Sequence, residues 1–173
     1  MVFNKKYISY IKPLSFLPAI LIMCIIFSFS SQNGTESGSL SHMISVKIVE
    51  ISNSIFQQEL TADEIELYAD KIETPVRKLA HMTEYCVFAL TVLFPLYVYG
   101  VRGKRLFLST LLFCICFAAS DEYHQSFVAD RGPSIKDVLI DSIGVGIGTI
   151  IGKCCTKIEC ALHILRARAV AKQ

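Results

Sequence analysis

Arg77-Lys78-Leu79-Ala80-His81-Met82-Thr83-Glu84-Tyr85-Cys86-Val87-Phe88-Ala89-Leu90-Thr91-Val92-Leu93-Phe94-Pro95-Leu96-Tyr97-Val98-Tyr99 is an apolar stretch with ionisable residues at one end only. Residues 79–99 suffice to cross a hydrocarbon core as a helix, which takes about 20 residues. Arg77, His81 and Glu84 recur at i, i+4 and i+7 and so share one helical face. Hydrocarbon cannot solvate such a face, which therefore belongs against protein or water. The stretch predicts a membrane helix that packs into a bundle and gathers its chemistry at one end.

Three further apolar stretches run roughly over 13–31, 105–121 and 137–154. The first and last are short and call for tilt or local thinning of the bilayer. The chain has 173 residues, is 53% hydrophobic and contains no Trp, and its mean hydropathy is +0.49. The fold expected is all-α: a four-helix transmembrane bundle forming one integral membrane domain over residues 1–173. The long connection 32–76 lies outside the membrane.

Charge sets the topology. One set of ends holds Lys5, Lys6, Lys12, Arg102, Lys104, Arg105, Lys153, Lys157, Arg166, Arg168 and Lys172, with Glu159 as the acid among them. The connection 32–76 instead holds Glu36, Glu50, Glu59, Asp63, Glu64, Glu66, Asp70 and Glu73 against Lys47 and Lys71. Cytoplasmic loops carry the Lys/Arg excess, so both termini are expected in the cytoplasm and 32–76 outside, in a multi-pass protein of the cell membrane. Lys5, Lys6 and Lys12 precede an apolar run as in a signal peptide. Ser28-Phe29-Ser30-Ser31-Gln32 is a poor cleavage site, and a retained helix is expected.

Cys24, Cys86, Cys114 and Cys116 fall within spans, and Cys154, Cys155 and Cys160 near the basic end. No disulfide framework is expected, and these read as small apolar helix residues. Cys114 and Cys116 point to two sides of a helix and form no metal pair. In the connection, Ile44, Ile48, Ile51 and Ile55 have helical spacing. Thr61 and Glu64 form a capping-box signature, and Ile65, Tyr68, Ile72 and Val76 mark a second helix. These two amphipathic segments are expected on the outer interface or over the mouth of the bundle. Thr74-Pro75 reads as the start of the second span, and Gly100 to Gly103 as a tight inner turn. Ser134 reads as the cap of the last span, in which Gly144 and Gly148 form a G-x-x-x-G pair for close helix approach.

The first stripe has counterparts. Asp121, His124 and Gln125 stand at i, i+3, i+4 on the third span, next to Glu122, and Asp137 and Asp141 at i, i+4 on the fourth. Arg131 lies between them. One reading is a buried network that fixes helix register, although such networks often cost stability relative to apolar packing. In a second, Arg77, Lys78 and Arg131 bind an anionic head group or carboxylate, for which guanidinium is suited. In a third, His81, His124 and the carboxylates Glu84, Asp121, Asp137 and Asp141 carry acid–base or metal-assisted chemistry on a lipid-linked substrate. A proton relay has less to support it, because the inner halves of the spans lack ionisable residues.

Arg77-Lys78-Leu79-Ala80-His81-Met82-Thr83-Glu84-Tyr85 resembles the R-K-x-x-H-x-x-E-Y segment of the VanZ-like family. Ser120-Asp121-Glu122-Tyr123-His124-Gln125-Ser126-Phe127, followed by Arg131, Asp137 and Asp141-Ser142-Ile143-Gly144, is similar to that family's S-D-E-x-H-Q-x-F…R…D-x-x-x-D-x-x-G run. Phe29-Ser30-Ser31-Gln32 resembles its first-helix exit. The resemblance implies a small polytopic bacterial membrane protein of the cell envelope. Through the founding member it also implies low-level resistance to teicoplanin, a lipoglycopeptide antibiotic. It covers nearly all of the membrane region, but no motif matches 33–73.

The ligand-binding residues expected are Arg77, His81, Glu84, Asp121, Glu122, His124, Gln125, Arg131, Asp137 and Asp141. The partners expected are the bilayer and a lipid-linked or cell-wall ligand; no nucleic acid, cofactor or metal is expected. A membrane-embedded transferase or hydrolase is the alternative, with the same His and carboxylates as catalytic groups. A structural partner of another membrane protein is a further one, with the G-x-x-x-G face as its contact.

Overall fold

The computed structural model describes residues 12–129, 131–132 and 134–170. Lys5, Lys6, Lys172 and Pro133 lie outside the described residues, as do the side chains of Glu159, Cys160, His163, Arg166 and Arg168. A 3-10 turn, Lys12–Phe16, leads into α1 (Leu17–Ser30). There follow α2 (Gly34–Phe56), α3 (Ala62–Val98), α4 (Gly103–Gln125) and α5 (Ile135–Val170). Among the described residues, four segments are long and apolar enough to cross a membrane: Lys12–Ser30, Ala62–Val98, Gly103–Gln125 and Ile135–Ile158.

Helix α3 is the hub, packing against each of the other four. Tyr85, Phe88, Ala89 and Val92 of α3 meet Ala19 and Ile26 of α1, Cys114 and Ala118 of α4 and Val145 of α5 in one core. Phe88 packs against Phe117 in a tilted pair with ring centroids 4.9 Å apart. The rest of the apolar surface faces outward, through residues such as Leu21, Leu112, Ile143 and Ile150. Water would penalise that exposure, whereas lipid tails are as apolar as leucine.

Helices α3 and α5 run parallel at very close range. A Cβ added to Gly144 would fall on the Met82 carbonyl, and one added to Gly148 on the Cys86 carbonyl. At Gly152 it would meet the Leu93 Cδ1 at 2.7 Å. The G-x-x-x-G pair therefore serves contact within the chain, as small-residue motifs do where backbones must touch.

The turn between α3 and α4 is a Schellman motif. Val101 N–H donates to the Leu96 carbonyl and Gly100 N–H to the Tyr97 carbonyl, each at 3.0 Å. Gly100 takes a φ of +94°, which only glycine adopts without strain. Basic and aromatic side chains meet at this end: Arg102 over the Tyr97 ring, Lys12 over Tyr99 and Lys153 over Phe107.

The second span does not start at Thr74-Pro75. Helix α3 begins at Ala62 and continues through Pro75. Its start carries the capping box: Thr61 N–H donates to Glu64 Oε2 at 2.9 Å, and Glu64 N–H donates to Thr61 Oγ1 at 3.4 Å. Pro75 is exposed, so the Lys71 carbonyl that it leaves without a helical donor is not trapped in the core. The first half of α3 forms an antiparallel hairpin with α2, pinned by His42 Nε2 to Glu66 Oε2 at 2.9 Å and His42 Nδ1 to Asp70 Oδ1 at 3.3 Å. The packing face of α2 is Ser41, Ser45 and Val49. Its isoleucines are exposed, as a face toward the membrane interface would be, and Ile44 lines the groove at the mouth of the bundle.

Candidate functional site

At the end of the bundle opposite the Schellman turn, four elements enclose a polar cavity of about 320 Å³. Helix α3 contributes Arg77 and His81, one turn apart along the stripe seen in the sequence, and Lys78 next to Arg77. Helix α4 contributes Glu122 and Gln125, and α5 contributes Asp137, Ile140 and Asp141. Arg131 and Gly132 of the α4–α5 connection form one rim; Gly34, Thr35 and Ser37, from the first turn of α2, form the other.

Capping hydrogen bonds set the positions of these groups. Glu122 Oε1 accepts from Ser134 N–H at 2.6 Å, and Ser134 Oγ accepts from Asp137 N–H at 3.3 Å. Ser134 therefore caps α5, and α4 holds the cap in place. Asp121 is buried at 3% exposure. Its Oδ2 accepts from Tyr85 Oη at 3.3 Å and from Gln125 Nε2 at 3.2 Å. Its Oδ1, and the Oδ1 of Asp141, are buried without a hydrogen-bond partner among the described residues. Asp141 is 6% exposed. Buried carboxylate oxygens normally find donors; the buried Ser30 hydroxyl stands against Asp121, so it is the Asp141 oxygen, on the cavity wall, that marks where a donor or cation would be accepted.

The cationic side is crowded. Arg77 and Arg131 line the same space, and neither forms a salt bridge among the described residues. Arg131 Nη1 has only a long contact, 3.5 Å, to the Ser30 carbonyl. Burial, and then the Arg77 guanidinium, hold the Arg131 pKa below its ordinary value, with Asp121 and Glu122 opposing. His81 Nδ1 lies 3.7 Å from Glu84 Oε2.

The sequence-predicted residues divide as follows. Arg77, His81, Glu122, Gln125, Arg131, Asp137 and Asp141 converge on the cavity. Glu84 lines an adjoining groove, and Asp121 sits behind Gln125. His124 is not part of the cavity: its ring packs on Phe27 of α1 at a centroid distance of 4.2 Å, and its Nδ1 is buried without a partner among the described residues. Sequence reasoning left out Tyr85, although it stood in a quoted motif; a hydroxyl one turn beyond His81 was the available signal. It also missed Gly34, Thr35 and Ser37, for which no signal existed.

These features define a polytopic α-helical membrane protein with an ionisable cavity at one end of its bundle. The chain belongs to the VanZ/LLP1 family, whose model matches residues 15–156. Searches of curated proteins and of solved structures find no match.

Proposed function

We propose that this VanZ/LLP1 protein is an envelope protein that binds an anionic, lipid-borne or peptidoglycan-related ligand at the outer leaflet, with both termini cytoplasmic. Through that ligand it lowers susceptibility to glycopeptides of the teicoplanin type. The observation that carries this reading is the pairing of Arg77 with Arg131. Two like charges share one cavity, and no carboxylate bridges either of them among the described residues. An anion between them relieves that repulsion, and guanidinium presents the planar fork that phosphate and carboxylate accept. Glu122, Asp137 and Asp141 on the facing wall would take hydroxyl or amine groups of the same ligand. The basic inner ends and the acidic connection support the topology.

The test is teicoplanin susceptibility of a bacterial strain lacking the protein, complemented with wild type, Arg131→Gln or Asp141→Asn at matched expression. Wild type alone should restore tolerance. Full complementation by both variants would remove the cavity from the account, and no effect of deletion would remove the glycopeptide role.

A second reading, a membrane-embedded transferase or hydrolase acting on a lipid-linked precursor, draws on the unpartnered Asp141 oxygen beside the His81–Glu84 pair. An enzyme of the metal-assisted kind would lose its effect on tolerance under chelation of divalent cations, whereas a binding protein would keep it.

A further inference from the structure

The polar cavity opens into a second space of different character. Phe29 at the end of α1, Leu40 and Ile44 of α2, and Val76 and Ala80 of α3 line a groove of about 150 Å³. Ser37, Arg77, His81 and Arg131 line both spaces and so stand at their junction. The groove lies at the level where the α1 span ends, and three of its apolar walls are on the surface: Phe29, Leu40 and Ile44 are 41%, 42% and 40% exposed. One continuous path therefore runs from the apolar flank of the bundle, past two guanidinium groups, into a cavity walled by carboxylates.

We infer that the groove seats an acyl chain, and that the ligand is an anionic membrane lipid with a phosphodiester head group. This inference rests on the anion-binding reading above and specifies its ligand. A water-soluble anion would need the guanidinium groups but no apolar approach to them. A lipid needs both, in this order: chain, then phosphate, then polar head. Transfer of a chain from bilayer to groove is close to neutral, since both are apolar. The groove therefore orients the lipid, and the two arginines supply the preference for a negative head group. The carboxylates Glu122, Asp137 and Asp141 suit the hydroxyls of that head group and repel a second anion.

The experiment uses the full chain, purified in detergent and stripped of lipid. Native mass spectrometry follows titration with phosphatidylglycerol, against diacylglycerol, which carries the chains without the phosphate. Calorimetry follows glycerol 1-phosphate, which carries the phosphate without a chain. Wild type should prefer phosphatidylglycerol by about tenfold or more, the effect of a single charge-assisted contact. Ala80→Trp and Leu40→Trp each fill the groove from a different helix. Either should reduce phosphatidylglycerol binding by about tenfold while leaving glycerol 1-phosphate binding as in wild type. Retained glycerol 1-phosphate binding also shows that the variant is folded, and Leu40, at the surface, serves if Ala80→Trp is not. Arg131→Gln should weaken both ligands. Groove-filled variants that hold phosphatidylglycerol as wild type does would overturn the acyl-chain inference and leave the anion site standing. Failure of wild type to bind glycerol 1-phosphate, or binding that Arg131→Gln leaves intact, would overturn the anion reading and this inference with it.

Discussion

Glu122 of α4 accepts a hydrogen bond from the Ser134 N–H at the start of α5, at 2.6 Å. This contact closes the connection that carries Arg131 and fixes the cap whose hydroxyl receives the Asp137 N–H. A carboxylate that looks like a ligand group in the sequence thus has a positioning task as well. Glu122→Ala should cost about 1–3 kcal/mol, as expected for a lost hydrogen bond to a charged group, and should weaken anion binding by displacing Arg131. Glu122→Gln keeps an acceptor oxygen and should recover most of both. Unfolding in detergent together with a glycerol 1-phosphate titration checks this; equal losses in the two variants would show that charge, and not the cap, is what matters.

Gly148 and Gly146 provide a matched pair on one helix. A methyl group on Gly148 falls on the Cys86 carbonyl, whereas one on Gly146 meets nothing within 4 Å. Gly148→Ala should destabilise by about 1–3 kcal/mol, the usual cost of overpacking, and Gly146→Ala should be neutral or better. Denaturation of both variants in the same detergent measures the difference. Equal stabilities would contradict the close α3–α5 contact.

His81 and His124 should behave differently under substitution. His81 lines the cavity and the groove, while His124 is stacked on Phe27. His81→Ala should weaken anion binding, whereas His124→Ala should leave it unchanged and lower stability through the lost ring contact. Titration of both variants with glycerol 1-phosphate decides this, and a binding loss in His124→Ala alone would reverse the assignment.

The spans, the capping box at Thr61 and the G-x-x-x-G contact were legible in the sequence because each is set by local spacing. The polar stripes were legible on α3 and α5 for the same reason. Helix α4 shows the limit of spacing. Asp121 and Gln125 hydrogen-bond to each other and face inward, but His124 sits about 60° around the helix from Asp121 at 3.6 residues per turn. Whether that offset still faces the cavity depends on how α1 packs, and Phe27 of α1 occupies the position. Helix α2 was legible as a helix, but its packing face was not. Its isoleucines gave the periodicity, but its close partner α3 is met by Ser41, Ser45 and Val49, because small residues permit a close approach. Pro75 marked a helix start by type alone, and only the continuous packing of α3 shows that it lies inside the helix.

The central claim is that Arg77 and Arg131 hold an anion between them. Its most direct measurement is the thermal midpoint of the purified protein in detergent as glycerol 1-phosphate is raised, for wild type and Arg131→Gln. A ligand that binds only the folded state stabilises it in proportion to the logarithm of its concentration once the site is saturated. The wild-type midpoint should rise with the anion. Arg131→Gln, relieved of the like charge, should start at or above the wild-type value and stay flat. A wild-type midpoint that does not respond, or a variant that rises in parallel with it, would contradict the account.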